Sequence, residues 1–426
     1  MKELIKVSNP VKGVNLIVLP TGVRNVASVK ISFPAGKRFS VNNIIPDFVA
    51  QMLELGVEGM SKEVIAKTLE SGAINWNINC GATWVDVSVA MPRAKMDDFA
   101  RLLSLMLTHP TFPEEELKLF KQRTIAEVLQ SKQETGPQAW KLLCRNLFTS
   151  SHPMYEETEE EEIEKIKSIT REDLFAFHAQ FYGTGKTKFV VTGDANNLAW
   201  ERLASAVFTP MREIVTNVEQ ADKVAELPVN SSYTTLRDKS SVDVFVGHPI
   251  KINVNSKEFF ALKLGLHILG GDFVSRLMQE VRVKRGLSYG TNANTSGLND
   301  GDTGLFYTWG TFAPTFLSKG IGTTKEVLNS WVKRGITKAE LARAKEAMPG
   351  NYMVSLSDSS GVAGAIMNIL QTGKELSFLD DYPKIIQSLM LADVNNAIRK
   401  HIHPDNLIFS AAGNINAEGN PLPLNS

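Results

Sequence analysis

Several features are scarce or absent in this sequence, and each absence excludes a class of protein. The two cysteines, Cys80 and Cys144, are too few for the disulfide framework of a small secreted protein. The 46 basic and 46 acidic residues give a formal net charge of zero, which argues against a basic nucleic-acid-binding protein. No run of about 18 apolar residues occurs, so no membrane-spanning helix is expected. What remains is an ordinary globular chain, and its 426 residues are enough for two domains.

Signals for secretion and for a helical zinc pair are also missing. Polar residues and a proline between Lys6 and Lys12 interrupt the apolar residues of the N-terminus, so it lacks a signal-peptide core. We therefore expect a cytoplasmic protein, or a periplasmic one if a signal segment has been removed. None of the seven histidines forms a His-x-x-x-His pair. His401 and His403 have the spacing of two ligands on one strand face, but no third ligand is near in sequence.

An internal repeat organises the chain. Asp173–Asn196 aligns without gaps on Asp393–Asn416, each residue lying 220 positions before its counterpart, as Asp173 does before Asp393. Both segments read as a helix, a short polar turn and a strand that ends in Gly-Asp or Gly-Asn. We therefore predict two related halves, 1–215 and 230–426, joined by a linker at 216–229. Because each half mixes hairpins with helices, the predicted class is α+β, with mainly antiparallel sheets packed against helices.

The stretch LGGDFVSRLMQEVRVKRGLSYG, Leu269–Gly290, carries the most specific pattern. Phe273, Leu277 and Val281 recur every four residues and predict one apolar face of a helix. Gly286 then ends that helix as a C-cap glycine. This arrangement predicts a helix that runs directly into the next strand.

The strand predicted at Leu287–Thr295 places Tyr289 on one side together with Thr291, Ala293 and Thr295. Arg282 therefore lies near a helix end, and Tyr289 lies at the start of the following strand. A permanent cation and a phenol in these places can hold a carbonyl or stabilise an oxyanion. The alternative is a surface arginine and a half-buried tyrosine without a functional role.

Taken together, these segments resemble the M16 zinc metallopeptidases, and in particular the M16B group related to processing peptidases and insulinases. The resemblance covers nearly the whole chain. Leu269–Gly290 is similar to the signature of the family's second half, in which an arginine and a tyrosine seven residues later contact the substrate. Those positions are Arg282 and Tyr289 here. Ser61–Asn77 resembles the segment after the family's zinc motif, and the resemblance implies two similar α+β domains facing each other across a chamber.

The zinc motif itself is where this sequence departs from the family. That motif is His-x-x-Glu-His, with a further glutamate about 75 residues on, and its first glutamate polarises the attacking water. The matching positions are Asp47, Ala50 and Gln51, and the distal position corresponds to Glu127. An aspartate and one glutamate cannot form a zinc site with three protein ligands and water. The resemblance therefore implies a half that cannot carry out the family's hydrolysis.

We expect a non-catalytic subunit of a heterodimeric M16B zinc metallopeptidase. It would hold no cofactor itself, and a homologous His-x-x-Glu-His-bearing partner would carry the zinc. This chain would contribute Arg282, Tyr289 and half of the chamber to bind a peptide or unfolded substrate, with no nucleic acid or membrane involved. Two alternatives stay open: a stand-alone peptide-binding or scaffold homodimer, and an enzyme with another metal site at His401, His403 and an acidic residue.

Overall fold

The computed structural model describes residues 1–217, 224–225, 231–298 and 302–423. Most of the predicted linker, 216–229, therefore lies outside the described residues. Within the described part, the chain divides into two compact units. Unit one contains Met1–Ile125, a segment that begins at Ile163, and Tyr352–Asp381.

Unit two contains Ala126–Glu162, the chain from the first strand of the second half to Asn351, and the segment that begins at Tyr382. The compact units are therefore not the continuous ranges of the predicted halves. The division at 216–229 stays a prediction about the repeat.

In both halves strand hairpins come first and a run of consecutive helices follows. The strands are β1 (Lys6–Ser8), β2 (Val14–Pro20), β3 (Val26–Phe33), β4 (Gly56–Val57), β5 (Met60–Ser61), β6 (Asn75–Cys80), β7 (Val85–Pro92), β8 (Thr187–Gly193), β9 (Ser231–Thr235), β10 (Val242–Ile250), β11 (Ser288–Ser296), β12 (Gly304–Phe312) and β13 (Ile408–Gly413). The helices are α1 (Ile45–Met52), α2 (Lys62–Ser71), α3 (Met96–Thr108), α4 (Glu114–Ser131), α5 (Thr135–Leu147), α6 (Glu159–Ser168), α7 (Arg171–Phe181), α8 (Asn197–Phe208), α9 (Lys257–Gly270), α10 (Leu317–Arg334), α11 (Lys338–Ser355), α12 (Ser359–Gln371), α13 (Phe378–Ser388) and α14 (Leu391–His401). Among the helices described, none is long and apolar enough to cross a membrane.

Each unit contains one mixed sheet, and the two sheets share a topology. The order in unit one is β1-β2-β8-β3-β7-β6, and the order in unit two is β11-β12-β10-β13-β9. Read from its other edge, the second order matches β2-β8-β3-β7-β6 strand for strand. In both sheets the pair β2–β8 or β9–β13 is parallel, and the pairings that follow are antiparallel. The predicted α+β class and the repeat are confirmed, and Gly193 and Gly413 end equivalent strands.

One helix from each half of the sequence packs in the unit formed mainly by the other half. Helix α5 packs on β10 and β13 in unit two, where Leu143 and Leu147 share a core with Leu305 and Ile408. Helix α12 packs on β3 and β8 in unit one. Its apolar face there forms one core cluster with buried residues of β2 and β8. A core built in this way requires residues from both halves, because removing α5 or α12 would expose buried sheet.

Two histidines are buried in a neutral state, one in each unit. His178 packs against Tyr182 and Phe112, and burial lowers its pKa from 6.5 to about 4 despite a hydrogen bond to the Leu107 backbone. Burial likewise lowers the pKa of His248 to about 4, against a hydrogen bond with the Pro249 carbonyl. Below pH 6.5 the unfolded chain therefore binds protons that the folded chain does not.

We expect the contribution of these two histidines to the free energy of unfolding to be constant above pH 6.5. It should fall as the pH is lowered from 6.5 to about 4. Each histidine would contribute up to about 3 kcal/mol at the low end. His178→Phe keeps an aromatic ring and should remove roughly half of this dependence. Urea unfolding at pH 7.5 and pH 5 measures it, and equal slopes for the variant and the wild type would contradict the assignment.

Candidate functional site

Arg282 lies on a short π-helix in unit two. The segment Met278–Val283 is a π-helix, and the Lys284 N–H donates to the Gln279 carbonyl at 2.9 Å. The wider turn rotates the residues after Leu277 relative to an α-helix, and such insertions are frequent at functional sites. Leu277 and Val281 remain fully buried, while Arg282 points to solvent.

Phe273 does not belong to the buried face that the four-residue spacing predicts. That prediction is wrong for this residue, because the helix begins only after a turn at 271–275, and the ring is 64% exposed. The Arg282 guanidinium instead lies over the Phe273 ring, with its carbon 5.1 Å from the ring centroid. The stack restricts a long side chain to one orientation. The four-residue spacing could not predict that Phe273 stacks under Arg282, because the spacing does not show at which residue the helix begins.

Arg282 is the cation of this segment that stays available. Lys284 pairs with Glu280 at 2.5 Å, and Arg285 pairs with Glu326 at 3.0 Å. In the part of the chain that the structure describes, the Arg282 guanidinium has no hydrogen-bond or ion-pair partner. Its donors are therefore free to bind a carbonyl or carboxylate of a bound molecule.

The end of the π-helix turns the chain into β11. Gly286 adopts a φ of 62°, and its N–H donates to the Arg282 carbonyl at 3.0 Å. The Leu287 N–H donates to the Val281 carbonyl at 2.9 Å. Each of these two bonds spans one residue more than its counterpart in the Schellman motif of an α-helix. Arg282 therefore belongs to the same closed backbone turn from which β11 starts.

Tyr289 is the extra residue of a β-bulge in β11. Ser288 pairs with Phe312 and Gly290 pairs with Thr311, which leaves Tyr289 without a partner in the ladder. The predicted strand is confirmed, but the predicted face is wrong, because the bulge reverses the alternation at this point. Thr291 and Ala293 are buried, whereas the Tyr289 side chain is 73% exposed. A glycine inside a strand is the sequence signal that would have indicated the bulge.

Several exposed apolar side chains lie near Arg282 and Tyr289 in the sequence. Besides Phe273 and Tyr289, Val274 and Val283 are 48% and 56% exposed. Large apolar side chains exposed so close together in sequence are typical of a binding surface. In chemical terms, this segment offers one free guanidinium, one phenol and apolar contacts, which suits an extended peptide.

The positions of the zinc motif lie on α1 in unit one. Ala50 carries only a methyl group and cannot act as a catalytic base, and this methyl group is fully buried. The Gln51 Nε2 donates to the Ile78 carbonyl at 3.1 Å and holds α1 against β6. Asp47 is partly buried. The helix thus keeps its place against the edge strand, but an amide bonded to the backbone now occupies a zinc-ligand position.

Two groups that stay protonated at neutral pH, Cys80 and Tyr182, lie close enough to Asp47 to feel its charge. Burial raises the pKa of the Cys80 thiol to about 12, and the Asp47 carboxylate adds to that rise. Burial also raises the pKa of Tyr182 far above its usual range, with Cys80 and Asp47 contributing. A thiol in this state is not a nucleophile at neutral pH.

The other predicted positions do not complete a metal site. Glu127 is exposed on α4, in the part of that helix that belongs to unit two. The His401 Nε2 lies 3.2 Å from Glu258, whereas the His403 ring packs against His248 with centroids 5.6 Å apart. Among the residues that the structure describes, no group of three or more His, Cys, Asp or Glu could hold a metal ion. The donor set at Asp47, Ala50 and Gln51 therefore does not fit a zinc ion.

Comparison with known proteins identifies the family. The family model described as the Peptidase M16 inactive domain matches residues 168–348. A Helicobacter pylori protein named non-peptidase homolog YmxG is 24% identical over 396 residues, covering 91% of this chain and 88% of that protein. Residues 168–348 belong to the M16 peptidase family, and the chain as a whole is similar to M16 proteins.

Further M16 relatives carry different names. A Bacillus subtilis protein named uncharacterized zinc protease YmxG is 24% identical over 320 residues, covering 74% of this chain and 75% of that protein. A crystal structure of a peptidase M16 inactive domain from Pseudomonas fluorescens has a TM-score of 0.87, with 23% identity and 99% of both chains covered. The fold of this M16 chain is therefore that of an inactive-domain structure over its whole length.

The zinc positions of this M16 chain lead to a direct prediction. The purified chain should contain no stoichiometric zinc and should show no chelator-sensitive peptidase activity, because Asp47, Ala50 and Gln51 replace both imidazoles and the base. Elemental analysis after dialysis against zinc, together with a fluorogenic peptide assay, measures both properties. One zinc per chain accompanied by cleavage would contradict the assignment.

Proposed function

We propose that this chain is the non-catalytic subunit of a heterodimeric M16B zinc metallopeptidase. The observation that carries the proposal is an asymmetry between two sites. The zinc-motif positions on α1 hold an aspartate, a buried alanine and a backbone-bonded glutamine. The arginine and the tyrosine of the second-half signature, here called the Arg/Tyr element, are both present as Arg282 and Tyr289, and both side chains are exposed.

The chemistry divides between the two proposed subunits. A homologous partner would supply the zinc, the water and the base from its own His-x-x-Glu-His motif. Arg282 would hold a carbonyl of the substrate with its guanidinium, and Tyr289 would donate its hydroxyl to the same oxygen as charge develops. The exposed apolar side chains beside them suit peptides or unfolded protein segments, and nucleic acid and membrane are not expected as partners.

The name of the Helicobacter pylori relative supports the same assignment, because that protein is called a non-peptidase homolog. The competing proposal is a homodimer that binds peptides as a scaffold. It shares the Arg/Tyr surface but needs no zinc-bearing partner. Identifying the partner therefore separates the two proposals.

Affinity purification of the tagged chain from its native organism, followed by mass spectrometry and size-exclusion chromatography, tests the assembly. We expect a stoichiometric M16 homologue that carries His-x-x-Glu-His. A homodimer that copurifies with no M16 homologue would contradict the heterodimer and support the scaffold. A zinc-free variant of the partner, with both motif histidines changed to alanine, should still copurify if the interface does not depend on the metal.

A further inference from the structure

The backbone at Tyr289 is held by the neighbours of the bulge and not by the strand ladder. The Ser288 hydroxyl lies 2.7 Å from the carbonyl oxygens of Gly290 and Thr311, and it accepts the Gly290 N–H at 3.1 Å. These contacts fix the two residues that flank Tyr289. The direction of the phenol therefore depends on where Gly290 is held.

The indole of Trp309 on β12 faces the side of Gly290 on which a side chain would stand. A methyl group added at Gly290 would be 3.4 Å from the six-membered ring of Trp309, which is ordinary van der Waals contact. The Trp309 Nε1 donates to Asp243 Oδ1 at 2.8 Å. The six-membered ring of the indole thus limits the space beside Gly290, and the Nε1 end is fixed by a hydrogen bond to a carboxylate.

Asp243 is itself anchored from the opposite side. Its side chain on β10 is 8% exposed, and its Oδ2 accepts a hydrogen bond from the Thr135 Oγ1 at 2.5 Å. Thr135 is the first residue of α5, so the carboxylate lies at the positive end of a 13-residue helix. A buried carboxylate held by two donors and a helix end has little freedom to move.

We propose that Trp309 and Asp243 are positioning residues that fix the direction of Tyr289. The contacts form one line within unit two, from Thr135 through Asp243, Trp309 and Gly290 to the bulge. The functional part of this inference rests on the proposed substrate role of Tyr289, but the coupling itself does not. Because displacements of about 1 Å can lower a rate about 10²-fold, a bulge residue needs such lateral support.

Two variants break the line at different points. Trp309→Phe keeps an aromatic ring but removes the indole N–H, and Asp243→Leu keeps a side chain of similar size but removes both acceptor oxygens. Trp140→Phe is the matched control, because Trp140 packs edge-on against Phe245 and Tyr307 on the same sheet at 5.2 Å from each. Circular dichroism and thermal unfolding would show that all three variants fold.

The direct readout is the ¹⁹F resonance of 3-fluorotyrosine at position 289 in the full-length chain, assigned with Tyr289→Phe. We expect Trp309→Phe and Asp243→Leu to shift or broaden this resonance, while Trp140→Phe leaves it unchanged. No change in either test variant would overturn the inference. This measurement needs no partner and no activity, so it stands even if the proposed function fails.

The functional readout is the kcat/KM of the heterodimer. Trp309→Phe should lower it about tenfold in the wild-type background and have little effect in the Tyr289→Phe background, because the two residues act through one contact. Full additivity of the two changes would overturn the positioning role. If Tyr289→Phe alone had no effect, the proposed substrate role would fail, and the ¹⁹F result would still decide the coupling.

Discussion

Arg282→Ala and Tyr289→Phe are each expected to lower the kcat/KM of the proposed heterodimer by about 10²–10³, the loss typical for one oxyanion donor. The effect would act in trans, since neither residue belongs to the proposed zinc-bearing chain. Both side chains are exposed, and the structure assigns neither of them a core contact. Folding and complex formation should therefore be unchanged.

The chain offers matched controls for both changes. Lys284→Ala removes a neighbouring exposed cation that is already paired with Glu280, and Asn292→Ala shortens an exposed side chain further along β11. Both controls should stay within about twofold of the wild type. Unchanged kcat/KM in both test variants would return Arg282 and Tyr289 to a structural role, and loss of the complex would make them interface residues.

Lys141→Met is expected to destabilise unit two by about 3–5 kcal/mol, because it leaves a buried carboxylate without its cation. The Lys141 Nζ lies 3.2 Å from Glu159 and 2.7 Å from Glu162, and the side chains of Lys141 and Glu159 are only 12% and 8% exposed. Burial would raise the pKa of Glu159, but hydrogen bonds from Gln138 and Lys141 outweigh it and hold that pKa below its usual value. Thermal unfolding followed by circular dichroism measures the loss.

Lys132→Met is the matched control, because Lys132 also pairs with a glutamate of α6, Glu160, but that pair is 42% and 70% exposed. It should change the unfolding temperature far less than Lys141→Met does, because an exposed pair is screened by solvent. In Lys141→Met the pKa of Glu159 should rise, so the deficit relative to wild type should shrink as the pH is lowered. Equal losses for the two lysines would contradict the burial argument.

The fold could be predicted from the sequence where local patterns and global packing agree. The offset between Asp173–Asn196 and Asp393–Asn416 predicted two equivalent strands, and β8 and β13 hold equivalent places in their sheets. The placement of α5 and α12 could not be predicted in the same way. An amphipathic helix shows that it has an apolar face, but the sequence does not identify the sheet that covers this face.

The candidate site was predictable by residue type and less so by geometry. Arg282 and Tyr289 are exposed, as a binding role requires. The spacing of apolar residues did not predict the π-helix at Arg282 or the β-bulge at Tyr289. The π-helix and the bulge each insert one residue, and a single inserted residue moves every following side chain to a different face. Trp309 and Asp243 lie on separate strands, so their contact depends on strand order and register, which local patterns do not show.

The central claim is that this chain is a non-catalytic subunit that a zinc-bearing partner needs for activity. The most direct test is the peptidase activity of a purified His-x-x-Glu-His-bearing homologue from the same organism, measured with and without this chain. The account predicts that each protein alone cleaves an unfolded peptide substrate weakly or not at all, and that activity rises by about 10² or more on mixing. The rise should saturate at a 1:1 ratio. A homologue that is equally active without this chain would contradict the claim.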